Sequence, residues 1–207
     1  MATFSEMMIA PFNQVGVMGP RVGRNKAAVE GACHNFALSW IADIMRNPGG
    51  SAASRMAELS KRSGGANPIL QKVFGDRWDL EGDQGADQLM TQIHGLMTKD
   101  VFAYKRYVAN EVLSALKNNV GKGCLYSFWF SGGVVGAEGG AHSVAFYPTR
   151  HGGQVAMHFF DPNFGEFLFS EGEFSGFWSS LTAQYGPMRN HWMRGCTTTA
   201  PLVLAGR

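Results

Sequence analysis

Cys33, His142 and Asp161 are residues whose types and order suit nucleophilic chemistry on an acyl group. A thiol attacks well only when a base takes its proton, and the base works best when a third group holds it in place. Cys33 follows Glu30-Gly31-Ala32 and precedes apolar positions at Phe36, Ala37, Trp40, Ile41, Ile44 and Met45. That i, i+3, i+4, i+7 spacing predicts a helix opening at Cys33 with one face buried. Unpaired backbone N–H groups and the positive end of the macrodipole favour an anion there, and a thiolate is one. Helix starts and a neighbouring imidazolium bring cysteine pKa values from ~8.5 into the range ~3.5–7.5. The backbone N–H of Cys33 would also point at a developing oxyanion. Position alone leaves a buried structural cysteine as the alternative.

His142 stands in Gly139-Gly140-Ala141-His142-Ser143-Val144, where a strand starts after a glycine-rich loop. A neutral imidazole there takes the thiol proton and later protonates the leaving group. Asp161 ends the next predicted strand, in Phe159-Phe160-Asp161-Pro162-Asn163. The ends of an antiparallel hairpin lie side by side, so His142 and Asp161 become neighbours and the carboxylate can hold the imidazole. A turn cap is the alternative for Asp161, because Asp-Pro-Asn is a turn signal. The other histidines are weaker candidates. His34 would face another side of the helix, His94 lies mid-helix, His151 sits in a turn and His191 in the last strand, while His158 is a second-choice base. Cys124 and Cys196 lie in apolar strand-like runs and read as core.

The elements that must position these groups change character along the chain. Residues 1–30 are rich in Gly, Pro and small residues and read as an irregular N-terminal segment. The Cys33 helix ends at Asn47-Pro48-Gly49-Gly50, and further helices are predicted over Ala52–Arg62, Asp87–Met97 and Tyr104–Asn118. Strands are predicted over Cys124–Phe130, Ala141–Thr149, Gln154–Phe160 and Gly165–Phe169, then a helix over Glu171–Tyr185 and a last strand over His191–Leu202. Helices first and an antiparallel sheet afterwards make an α+β fold, with residues 31–207 as a single domain. The loops Met18–Lys26, Ser131–Gly140 and Pro187–Asn190 would shape the specificity pockets, and the acidic run Asp76–Asp87 reads as a solvated face.

Composition narrows the function classes. The 207 residues are 45% apolar, 12% aromatic and 16% charged, which is enough for a real core and unlike a disordered chain. A net charge of +2 without a dense basic run argues against nucleic acid as a partner. Arg21, Arg24 and Lys26 read as a solvated loop. Three scattered cysteines make no disulfide framework, and neither C-x-x-C nor H-x-x-x-H occurs, so no metal or other cofactor is expected. The N-terminus lacks the pattern of a cleaved secretory signal, and no apolar run reaches the ~18 residues of a membrane span.

The runs Gly31-Ala32-Cys33 with Trp40 behind it, His142-Ser143-Val144-Ala145 and Phe160-Asp161-Pro162-Asn163-Phe164-Gly165-Glu166-Phe167 together resemble the YopT/AvrPphB-type papain-like cysteine proteases. These are enzymes that bacteria make as effectors and toxin modules. The resemblance covers roughly residues 25–205 and implies a papain-like catalytic domain, with Cys33 as nucleophile, His142 as general base and acid, and Asp161 as the orienting carboxylate. It implies a monomeric virulence protein, secreted without a cleaved signal, that cuts a host protein in the host cytoplasm. Family targets include small GTPases and kinases.

One position departs from the pattern. Papain-like enzymes carry an amide side chain shortly before the nucleophile to complete the oxyanion hole, but here Ala27 and Ala28 stand there, and the nearest amide is Asn25. Asn25 and the backbone of Cys33 are the oxyanion candidates; such donors are worth ~2.7–4 kcal/mol. The departure leaves room for glutamine deamidation or transglutamination through the same thioester. A silent binding module with Phe128, Trp129 and Phe130 as its contact patch is the third reading.

Overall fold

Runs that alternate between apolar residues of two kinds build a sheet with a core on each face. The structure is a computed structural model, and residues 3–22, 32–61, 63, 65–104, 109–132 and 140–199 are described. The strands are β1 (Met8–Pro11), β2 (Leu96–Tyr104), β3 (Gly123–Phe130), β4 (Gly140–His151), β5 (Gln154–Asp161), β6 (Gly165–Ser170) and β7 (Met188–Thr198). They form a seven-stranded sheet in the order β1-β6-β5-β4-β3-β7-β2, with antiparallel neighbours. The helices are α1 (Gln14–Val22), α2 (Ala32–Arg46), α3 (Ala52–Leu59), α4 (Pro68–Ile93), α5 (Ala109–Lys117) and α6 (Phe174–Tyr185).

Successive side chains of a strand point to opposite faces, and the two cores follow from that. Leu125, Ala145 and Phe160 pack with Phe36, Trp40 and Ile41 of α2, and with α3 and α4 beyond it. Tyr126, Val144, Phe146 and Phe159 pack on the other face with Val112 and Leu116 of α5 and Phe177 and Trp178 of α6. The result is the expected α+β fold, with α2 as a helix buried on nearly every side.

Several elements differ from the sequence expectation. Residues 8–22, expected to be irregular, form β1 and α1. β1 pairs with β6, and the chain is tied further by Phe12 N–H to Phe164 O (2.9 Å) and Gln14 N–H to Pro162 O (2.8 Å). The partners are some 150 residues away in sequence, so no local pattern announces them. The helix expected over Asp87–Met97 starts at Pro68, capped by Asn67, whose side chain accepts from Ile69 N–H at 3.0 Å. Gly82, at φ 68° and ψ −168°, interrupts it and blurs its periodicity. Gly95, at φ 67°, ends it, so Met97 lies in β2. Tyr104 also belongs to β2 rather than to α5, because this strand pairs with β7 along its length.

A buried carboxylate joins the layers. Glu166 of β6 is fully buried; it accepts from Trp40 Nε1–H of α2 at 2.9 Å and from Arg55 of α3 at 2.5 and 2.9 Å. His158 Nδ1 lies 3.3 Å from the same carboxylate. Burial raises the Glu166 pKa, but hydrogen bonds from His158, Arg55 and Trp40 outweigh it, and the net shift is downward. A lowered folded pKa gives stability that is present above about pH 4.5 and is lost as pH falls through the folded value. Arg55→Met strands the carboxylate without its cation and is expected to cost about 3–5 kcal/mol at pH 7 in urea unfolding. The deficit should narrow as pH falls from 7 toward 4; a deficit independent of pH would contradict this account.

Candidate active site

Cys33 is the second residue of α2, so no carbonyl within the helix pairs its backbone N–H. It is buried to 8% exposure and lines a cleft of about 720 Å³ together with His142. One wall of the cleft is α4, with Gln71, Phe74 and Trp78. The other is the sheet, with Ser127, Trp129, Ser143 and Trp192.

The β4–β5 register sets Ala145 opposite Phe160, which leaves His142 and Asp161 at the same open end of the hairpin. His142 Nε2 lies 3.0 Å from Asp161 Oδ1, with His142 at 4% exposure and Asp161 at none. Asp161 has further partners. Its Oδ1 also accepts Asn163 N–H at 2.9 Å, as a turn cap does, and its Oδ2 accepts the Tyr185 hydroxyl at 2.7 Å. The Tyr185 oxygen lies 2.9 Å from His142 Nε2 and accepts from Asn163 Nδ2 at 3.0 Å. Gln14 of α1 donates to Asn163 Oδ1 at 2.7 Å. With Nε2 engaged by Asp161 and Tyr185, Nδ1 is the ring nitrogen left for the Cys33 sulfur, whose hydrogen bond and charge act on this imidazole. Tyr185 stacks on the imidazole at 5.0 Å and Phe128 meets it edge-on at 5.6 Å, so the ring is held between aromatic walls.

Burial works against a charged His142, but the Asp161 carboxylate and then the Cys33 sulfur outweigh it and raise its pKa to about 10. The site therefore favours an imidazolium beside the Asp161 carboxylate. Burial does the reverse to the other thiols: it pushes Cys196 up to about 12 and Cys124 further still, which suits inert core residues.

Other expectations need correction. His34 does not face away: it lines the same cleft as Cys33 and pairs with Asp87. Asp87 is not solvated; it is buried and also pairs with Arg194 of β7, because α4 folds back over the cleft. His94 caps the end of α4 and bonds Asn35 Oδ1 at 2.7 Å, and burial lowers its pKa to about 4. Trp129 is partly exposed on the cleft, whereas Phe128 is buried. Asn25 and most of the Ser131–Gly140 loop lie outside the described residues. Among the described residues no cluster of His, Cys, Asp and Glu is arranged for a metal ion, and no helix is long and apolar enough to cross a membrane. Tyr185, Asn163 and Gln14 escaped the sequence reading. An Asn two residues after the aspartate reads only as turn chemistry, and the contacts of a helix-terminal Tyr have no local signal.

The model of a peptidase family described as Yersinia/Haemophilus virulence surface antigen matches residues 81–196, a span that holds His142 and Asp161 and starts after Cys33. The chain is similar in fold to the Pseudomonas avirulence protein AvrPphB, with TM-score 0.56 and 18% identity over 93% of this chain and 99% of that one. PatoxP, a cysteine protease-like domain of the Photorhabdus asymbiotica toxin PaTox, aligns with TM-score 0.46 and 11% identity over 92% of this chain and 55% of that one. No curated protein matches. The α+β arrangement is the papain-like fold of AvrPphB.

Asp161→Asn removes the largest charge that favours the imidazolium. NMR titration should show wild-type His142 still protonated at pH 8 and the variant titrating well below that. A raised folded pKa gives stability that is complete below about pH 6.5 and lost as pH rises toward about 10. The stability gap between wild type and Asp161→Asn should therefore be widest near pH 6 and smallest near pH 10 in urea unfolding.

Proposed function

The chain belongs to the Yersinia/Haemophilus virulence surface antigen family of peptidases, and from that premise we propose that it is a thiol endopeptidase acting through Cys33, His142 and Asp161. The observation that carries the reading is the hydrogen-bonded pair His142–Asp161, set on the cleft that Cys33 lines at a helix start.

The Cys33 thiolate attacks the carbonyl carbon of the scissile bond and forms a C–S bond, while the carbonyl π pair moves onto oxygen. The N–H of Cys33, unpaired within the helix, donates to that oxyanion; a further donor from Asn25 is part of the proposal. Collapse of the intermediate breaks the C–N bond as His142 protonates the leaving amine, and a thioester remains. His142 then takes a proton from water, hydroxide displaces the sulfur, and the free carboxylate and the thiol are released. Asp161 keeps the imidazole in the tautomer that aims Nδ1 at sulfur and stabilises the cation between the two proton transfers. Tyr185 holds Asp161 and His142 to one another. The target under this reading is a host-cell protein, cut in the host cytoplasm.

Incubating host-cell lysate with purified protein and sequencing new N-termini should reveal a small set of cleavage sites that vanish with Cys33→Ala and with His142→Ala. Asp161→Asn should lower kcat by up to ~10⁴, as loss of the orienting carboxylate does in other triads. Cleavage by Cys33→Ala at the wild-type rate would end the proposal. A full-length target carrying a small mass change, with no fragments, would replace it with glutamine deamidation or transglutamination by the same thiol.

A further inference from the structure

Gln71 stands in the first turn of α4, on the face that lines the cleft with Phe74 and Trp78. Its side chain is 98% buried, and among the described residues neither Oε1 nor Nε2 has a hydrogen-bond partner. On the sheet side of the same cleft, the buried Nε1–H of Trp192 is also without an acceptor among the described residues. A buried amide that has given up water and gained nothing in return destabilises the fold, and a methionine or leucine at this helical position would avoid the cost. Two unsatisfied polar side chains on opposite walls of one cleft mark a place where the missing partner arrives with the substrate.

We propose that Gln71 and Trp192 are substrate-binding residues that grip the polypeptide backbone on either side of the cleft. The Gln71 amide donates from Nε2 to the carbonyl of one extended substrate residue and accepts that residue's own N–H at Oε1. Trp192 Nε1–H donates to a second carbonyl. The pairing at Gln71 follows from both of its atoms being vacant. An oxyanion accepts only, and would leave Oε1 unpaired; a cationic side chain donates only, and would leave Nε2 unpaired. An extended residue presents its N–H and its C=O on the same side and satisfies both. This assignment rests on reading the cleft as a peptidase site.

Two reagents for Cys33 separate the possibilities: iodoacetamide, which needs little of the cleft, and a peptidyl epoxysuccinate, which must lie along it. Gln71→Leu and Trp192→Phe should alkylate with iodoacetamide at close to the wild-type rate. Both should show a KI for the peptidyl reagent weakened on the order of tenfold per lost hydrogen bond, with kinact little changed. Gln71→Leu, and Gln71→Met as a second variant, should have a Tm equal to or above wild type. Equal KI values for wild type and variants would overturn the proposal. So would a fall in kinact alone, which would move Gln71 to the oxyanion, and so would a lower Tm in both Gln71 variants, which would make the residue structural. A wild-type Cys33 that resists both reagents would remove the peptidase reading and this assignment with it.

Discussion

A helix buried on nearly all sides can slide or rotate among many apolar packings of similar energy. Glu166 removes that freedom. Its carboxylate is buried without exposure and reaches α2 through Trp40 and α3 through Arg55. A charge in that environment tolerates few geometries, because each misplaced hydrogen bond exposes the desolvation cost of the ion. Trp40 is two helical turns from Cys33, about 10 Å along the axis at 1.5 Å per residue. Fixing the indole to the sheet therefore fixes the height and rotation of the thiol. The same β6 strand pairs with β5, which carries Asp161, so the constraint on Cys33 and the placement of the carboxylate share one piece of backbone.

The polar groups around His142 form a second layer of control. Asp161 Oδ1 is divided between the imidazole and a backbone N–H, and Oδ2 takes the tyrosine hydroxyl. Asn163 and Gln14 extend the chain of bonds to α1, so the N-terminal element braces the Tyr185–Asp161–His142 cluster through Asn163. Charge-assisted hydrogen bonds in a low-dielectric interior are strong and directional, which holds the imidazole in one orientation. The contrast among the three cysteines follows from the same physics. Cys124 and Cys196 lie in apolar core, where burial pushes their thiols up, and only Cys33 opens on the cleft beside a histidine.

The helix that opens near Cys33, the β4–β5 hairpin and the nearness of its ends are legible in local sequence, because periodicity and turn chemistry act over a few residues. Glycines at 152 and 153 with positive φ close that hairpin, and the alternation of Val144, Ala145 and Phe146 sorts its faces. The remaining features depend on long-range packing. β1 was illegible because its partner, β6, lies at the other end of the chain. α4 was half-hidden because Gly82 interrupts its period. Asp87 read as solvated until Arg194 and His34 met it from other elements. Tyr185, Gln14 and Gln71 gained their places only through contacts distant in sequence. Such contacts depend on where whole elements pack, and no short run of residues encodes that.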